Sequence, residues 1–144
     1  MDLTAPQNCL CFNLRRATRA VTQAYDAALR PAGLTASQFS LLSAIPGAGA
    51  TTMRELADAL GMDRTTLTRN LQPLIREGLV AVGVGKDQRQ RLVSLERKGV
   101  ERLAAARKLW RAMQNSTVDS FGAAEATALL QALGAVTDAA GHQR

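Results

Sequence analysis

The chain has 144 residues, 47% of them hydrophobic, with 18 basic against 12 acidic side chains and a net charge of +6. That is enough for one folded domain with a real core and excludes a disordered chain, while no run approaches the roughly 20 apolar residues of a membrane span. Two cysteines exclude a disulfide scaffold and leave the reducing cytoplasm as the default compartment, and the opening "MDLTAPQN" lacks the order of a secretory signal.

The basic excess is thin, +2 over residues 1–50, +3 over 51–98 and +1 over 99–144. Charge alone makes a polyanionic partner plausible and no more. No repeat, low-complexity tract or long linker divides the chain.

A first helix is expected over about 8–30. Leu10, Leu14, Ala17, Val21, Tyr25 and Ala28 recur every three or four residues, and Pro31 and Gly33 close it. Either Asn8 or Thr4 with Gln7 can start it. The second runs from Thr35 to about Ile45 with Phe39, Leu42 and Ile45 inward, and "PGAGA" at 46–50 is a turn. In "TTMRELADALGM", Thr52 and Glu55 have the spacing of a capping box, and Met53, Leu56, Ala57 and Leu60 form one stripe. Gly61 supplies a left-handed terminator, Asp63 caps the next helix at once, and Met62 with Leu67 has staple spacing. Helix, short glycine turn, helix is a helix-turn-helix. Residues 79–84 and 91–95, joined by the polar "GKDQRQ", read as a hairpin. A long helix over about 96–117 and an Ala/Leu-rich one over about 123–140 complete a mainly α chain with a small β-hairpin.

On a helix over 64–77, at about 100° per residue, Leu67, Leu71, Leu74 and Ile75 share the core sector. Thr65, Arg69, Gln72 and Arg76 fall opposite, with Thr68 beside them, Thr66 nearby and Arg64 at the first position. No acid interrupts this face before Glu77. Arginine donates two parallel bonds to guanine, glutamine pairs with adenine, and threonine offers a hydroxyl and a methyl. In a helix-turn-helix the N-terminal residues of the second helix lead into the groove. For Gln72 and Arg76 a merely solvated face serves equally well. Pro73 deletes the bond to the carbonyl of Arg69, so a kink or a reoriented last turn is expected. The hairpin tip carries Lys86, Arg89 and Arg91 against one acid, Asp87. It reads either as a basic wing reaching the minor groove, with Asp87 orienting Arg89 or pairing with Arg64, or as an ordinary soluble turn.

With these residues in place, the chain is similar to the MarR family of bacterial winged helix-turn-helix regulators along nearly its whole length. "GLTASQFSLLSAI" resembles the second helix, "TMRELADALGMDRTTLTRNLQPLIREGLV" the helix-turn-helix, and "DQRQRLVSLERKG" the wing pattern of Asp, Arg two later, an apolar strand and Gly, with Glu96 where the family commonly has Thr. The resemblance implies one domain over 1–144, with a winged part at about 35–95 and dimerisation helices at about 8–30 and 96–140. It implies an obligate homodimer on a palindromic operator, with half-sites about 10 bp apart, usually repressing. Arg64, Thr65, Thr68 and Arg69 fall where the family reads the major groove, and Arg89 where its wing enters the minor groove.

"NCLCFNLRRATRAVTQAY" resembles the organic-hydroperoxide-sensing branch, of OhrR type. By that resemblance Cys11 is a reactive thiol and Tyr25 its partner across the dimer, while Arg15 replaces a second tyrosine. An arginine one turn on and an early helix position are surroundings that favour a thiolate, and a buried inert cysteine is the alternative. Cys9 and Cys11 diverge by about 200° on a helix, which excludes a bridge between them within it. Cys9, Cys11 and His142 do not have the placement of a metal site. No cofactor is implied. The expectation is therefore a non-enzymatic repressor released by an oxidant or a small molecule. A thiol peroxidase using Cys11 and a protein-binding winged-helix adaptor are the rivals; no CxxC motif, base or cofactor loop supports the first, and the arginine-lined face opposes the second.

Overall fold

A computed structural model describes residues 1–85, 87 and 90–141, so Lys86, Arg89 and His142 lie outside the described residues. The chain divides into two compact units, Met1–Leu109 and Trp110–Arg144. Helix α1 spans Leu10–Leu29. Neither expected start caps it: Thr4 bonds Asp2 instead, Asn8 sits in a 3-10 turn over Pro6–Asn8, and Cys9 is the capping residue without a side-chain bond. Helix α2, Ala36–Ala44, opens with a capping box in which Thr35 and Gln38 satisfy each other's backbone N–H. A carboxylate oxygen of Asp26 accepts from Ala36 N at 2.6 Å and ties that start to α1.

The Thr52/Glu55 box forms as expected and launches α3, Met53–Leu60. Gly61 ends it at φ 61°, a left-handed conformation only glycine adopts freely. Helix α4 then runs Arg64–Arg76. The helical run continues through Pro73, so the residues beyond it stay on the same element. Leu71 and Leu74 are buried on either side of the proline, while Arg69, whose carbonyl loses its partner, is on the solvent side where water can serve it.

Strands β2, Val80–Val84, and β3, Arg91–Leu95, form the expected hairpin, with Val82 opposite Val93. The sequence reading missed a third strand. Thr51–Thr52, β1, pairs with β3, giving the antiparallel order β1-β3-β2. Along one face of β2, Val80 is 2% exposed, Val82 38% and Val84 54%, which is a ribbon leaving the core as it climbs. The core of this unit gathers Leu29, Leu42, Leu56, Leu67, Leu74 and Val93, and no polar or charged side chain among the described residues is buried.

Helix α5, Arg97–Phe121, outruns its expected end, and α6 spans Ala123–Gly141. The first turns of α5 grip the chain after α4: Lys98 Nζ donates to Glu77 O at 2.9 Å, Arg102 pairs with the Glu77 carboxylate, and Glu96 N donates to Leu79 O at 2.9 Å. Helix α6, made mostly of Ala, Leu and Val, buries none of its residues. Among the described residues no helix is long and apolar enough to cross a membrane.

Candidate nucleic-acid interface

The exposed side of α4 is set by what holds its start. Asp63 Oδ1 accepts from Thr66 N at 2.8 Å and Oδ2 from Thr66 Oγ1 at 2.6 Å. This commits the Thr66 hydroxyl proton to the cap, and Thr66 is half-buried. Thr68 Oγ1 donates to Arg64 O at 2.8 Å, leaving its methyl and oxygen lone pairs outward. Arg64, Thr65, Thr68, Arg69, Gln72 and Arg76 are all exposed, while Leu67, Leu71 and Leu74 beneath them are buried. A cationic, hydroxyl-bearing strip therefore stands on an apolar anchor.

The wing meets this strip at its base. Arg64, Thr68 and Gln72 share a groove of about 260 Å3 with Val82 of β2 and Arg91 of β3. Arg91 is thus beside α4 and not only at the tip where the sequence placed it. At the tip, Gly85 N bonds Gln90 O at 2.9 Å and Gln90 N bonds Asp87 O at 2.8 Å, which closes the turn. Asp87 is exposed and engaged in an interaction. Lys86 and Arg89 lie outside the described residues.

The Asp63 carboxyl is held below the ordinary aspartate value of 3.8, first by the Thr66 hydroxyl and then by the Thr66 N–H. Glu55 is likewise held below 4.5 by Thr52 and Thr51. A carboxylate whose folded value is lowered contributes stability that is complete above its unfolded value and lost as pH falls through the folded one. The start of α4 should therefore loosen below about pH 3.8. Asp63→Asn keeps an acceptor without the proton equilibrium, so its helical circular dichroism should fall less steeply over that range. An acid transition identical to wild type would show that the Asp63 cap does not stabilise the start of α4.

At the other candidate site, Cys9 and Cys11 are free and exposed, with Cys11 second in α1 and the exposed Arg15 one turn on. Tyr25 is half-buried and engaged in an interaction. Among the described residues, no three His, Cys, Asp or Glu side chains come together as metal ligands.

Sequence reasoning missed β1 because Thr52 had already been assigned to capping α3, and two residues carry no period. It also missed the α2 capping box, which "TASQ" does spell.

Comparison with known proteins agrees with this geometry. A family model described as MarR family matches residues 32–90. The Mycobacterium tuberculosis transcriptional regulator MosR, solved in complex with DNA, is 43% identical, covers 94% of this chain and 98% of its own, and superposes with a TM-score of 0.87. The transcriptional repressor CouR, solved on a 23-mer DNA duplex, is 26% identical over 94% of this chain and 97% of its own, with a TM-score of 0.80. CouR has also been solved with p-coumaroyl-CoA. The HTH-type regulator YwoH of Bacillus subtilis is 29% identical over 62% of this chain, which spans 65% of that relative's length. With the family model over its winged core and 43% identity across 98% of MosR, the chain belongs to the MarR family.

Proposed function

We propose that this chain is a homodimeric, cytoplasmic, sequence-specific DNA-binding repressor and not an enzyme. One observation carries the reading. The acid-free outer face of α4 presents Arg64, Thr65, Thr68, Arg69 and Gln72 to solvent, and Arg64, Thr68 and Gln72 share a groove with Arg91 of the wing. Those groups match the donor and acceptor edges of the major groove. Arg64 and Arg69 take base edges or flanking phosphates, Thr65 and Thr68 pack on thymine methyls, and Thr66 acts by holding the helix start. Lys86 and Arg89, supported by Asp87, serve the minor groove. MosR and CouR, both solved on DNA, support this use of the fold.

Dimerisation rests on apolar surface left uncovered in a single chain. In α1, Leu10 is 65% and Phe12 52% exposed, and in α6 Leu130 is 67% exposed. Patches of that kind mark interfaces. Two joined copies present two α4 helices to a palindromic operator, and any signal that changes their spacing costs the simultaneous fit and releases DNA. The signal is an oxidant or a small molecule. Cys11 is the sensing thiol in the first case, with Cys9, Arg15 and Tyr25 around it; a hydroperoxide takes it to the sulfenic acid and leaves as the alcohol.

The test is to titrate the full chain onto its own upstream region, reduced and hydroperoxide-treated, with Cys11→Ser alongside. Nanomolar binding by the reduced protein, lost on oxidation and retained by Cys11→Ser, is the expected result. Binding no tighter than to unrelated duplex would defeat the repressor reading. Specific binding that oxidant leaves unaltered would transfer control to a ligand.

A further inference from the structure

A second opening adjoins the groove beside Val82, sharing Met53, Arg64 and Arg91 with it. It is a cleft of about 460 Å3 lined by Arg54 and Asp58 of α3, Arg64 of α4, and Gln90 and Arg91 of the wing. Three arginines from three separate elements, Arg54, Arg64 and Arg91, line it together with one carboxylate, Asp58. Met53 and Ala57, which also line it, are buried, so the cleft sits on rigid core.

The state of Arg54 is informative. Among the described residues its ion pair is to Asp58, four residues on, at 3.9 Å, with side chains 92% and 75% exposed. At that length and exposure the pair is weak and solvated. A phosphate oxygen pair offers the guanidinium a shorter, two-pronged contact, so Asp58 parks Arg54 over the cleft without locking it. In a helix-turn-helix whose second helix occupies the major groove, the first helix crosses the sugar–phosphate backbone. Helix α3 is that first helix, and Arg54 is its cationic side chain facing the cleft.

We propose that this cleft seats a backbone phosphate of the operator, with Arg54 as a phosphate-contacting residue that sets affinity without reading sequence. The inference rests on the DNA-binding reading above. Arg64 and Arg91 close the cleft on two sides, so one phosphate sits between the base-reading helix and the wing. That contact fixes the register in which Arg64 and Arg69 meet the bases. Asp58 tempers the attraction for every duplex alike.

The experiment measures binding of the full chain to operator and to a scrambled duplex of equal length by fluorescence anisotropy across a salt series. Arg54→Ala should make the slope of log affinity against log salt shallower by about 0.9 per protomer, or about 1.8 for a dimer. It should weaken both duplexes by a similar factor and leave their affinity ratio within about twofold, because phosphate contacts carry no base information. Arg54→Lys should keep the wild-type slope, since the release of counterions follows charge and not fork geometry. Asp58→Asn should tighten both duplexes together. An unchanged slope in Arg54→Ala, or a loss of operator preference in it, overturns the proposal. A wild-type chain that prefers neither duplex and shows no salt dependence overturns the DNA-binding reading itself, a result distinguishable from the first two.

Discussion

Gly99→Ala should melt roughly 5–10 °C below the wild type at equal protomer concentration, a loss of about 2 kcal/mol. In an exposed helix this substitution stabilises by up to about 1 kcal/mol, so the sign here reverses the usual rule. A Cβ on Gly99 would stand 2.1 Å from the carbonyl oxygen of Leu79 and 3.0 Å from its carbon. Those are backbone atoms and cannot rotate aside. The same oxygen accepts from Glu96 N at 2.9 Å, and Leu79 is fully buried. To admit a methyl group, the first turn of α5 must retreat from the end of α4, stretching that bond and the Lys98 and Arg102 contacts to Glu77. Differential scanning calorimetry reads the effect directly. A Gly99→Ala chain melting within a degree of wild type would show that α5 slides off Leu79 at no cost.

Gly99 also shows how far the sequence could be read. The glycine after the wing strand was visible as part of a pattern, but the reason for it was not. A residue without a side chain has no period, and its neighbour Leu79 is twenty residues away. The helix-turn-helix was the opposite case: Thr52 with Glu55, Gly61, and Asp63 each act within four residues of their own position, so local chemistry alone spelled the motif. Cooperation between distant segments was invisible. That covers β1 joining β3, Asp26 reaching the start of α2, and Glu77 holding α5. At Pro73 the helix assignment continues to Arg76, with Leu71 and Leu74 buried on either side of the proline.

The candidate interface divides along the same line. The outward set on α4 follows from the helical period, so Arg64, Thr65, Arg69 and Gln72 were legible as a strip. The hydroxyl of Thr66 belongs to the cap, a distinction that depends on which of two neighbouring threonines faces Asp63. Arg91 looked like a member of the tip because sequence places it next to Arg89; the register, with Arg91 opposite Val84, instead brings it into the groove beside α4. Arg54 carried no signal in the chain, since an arginine four residues before an aspartate is the ordinary content of a solvated helix.

Arg69→Ala should lower operator affinity by about fivefold to 150-fold in each half-site, from about 1–3 kcal/mol per two-pronged base contact, and should flatten discrimination at the base pair concerned. Arg69 is exposed and one turn beyond Thr65 on the leading half of α4, with Leu67 and Leu71 buried beneath, so its loss removes a contact without loosening the helix. Arg76 shares its side but lies in the last turn. Arg76→Ala should cost only what a phosphate or solvent contact costs, and the difference between the two variants measures how deeply the front of α4 enters the groove. Arg69→Lys separates base from phosphate. An ammonium cannot reproduce the planar fork on guanine, so lysine should restore the salt dependence while leaving discrimination lost. If lysine restores both, Arg69 touches the backbone and sequence reading falls to Arg64 at the tip of the helix.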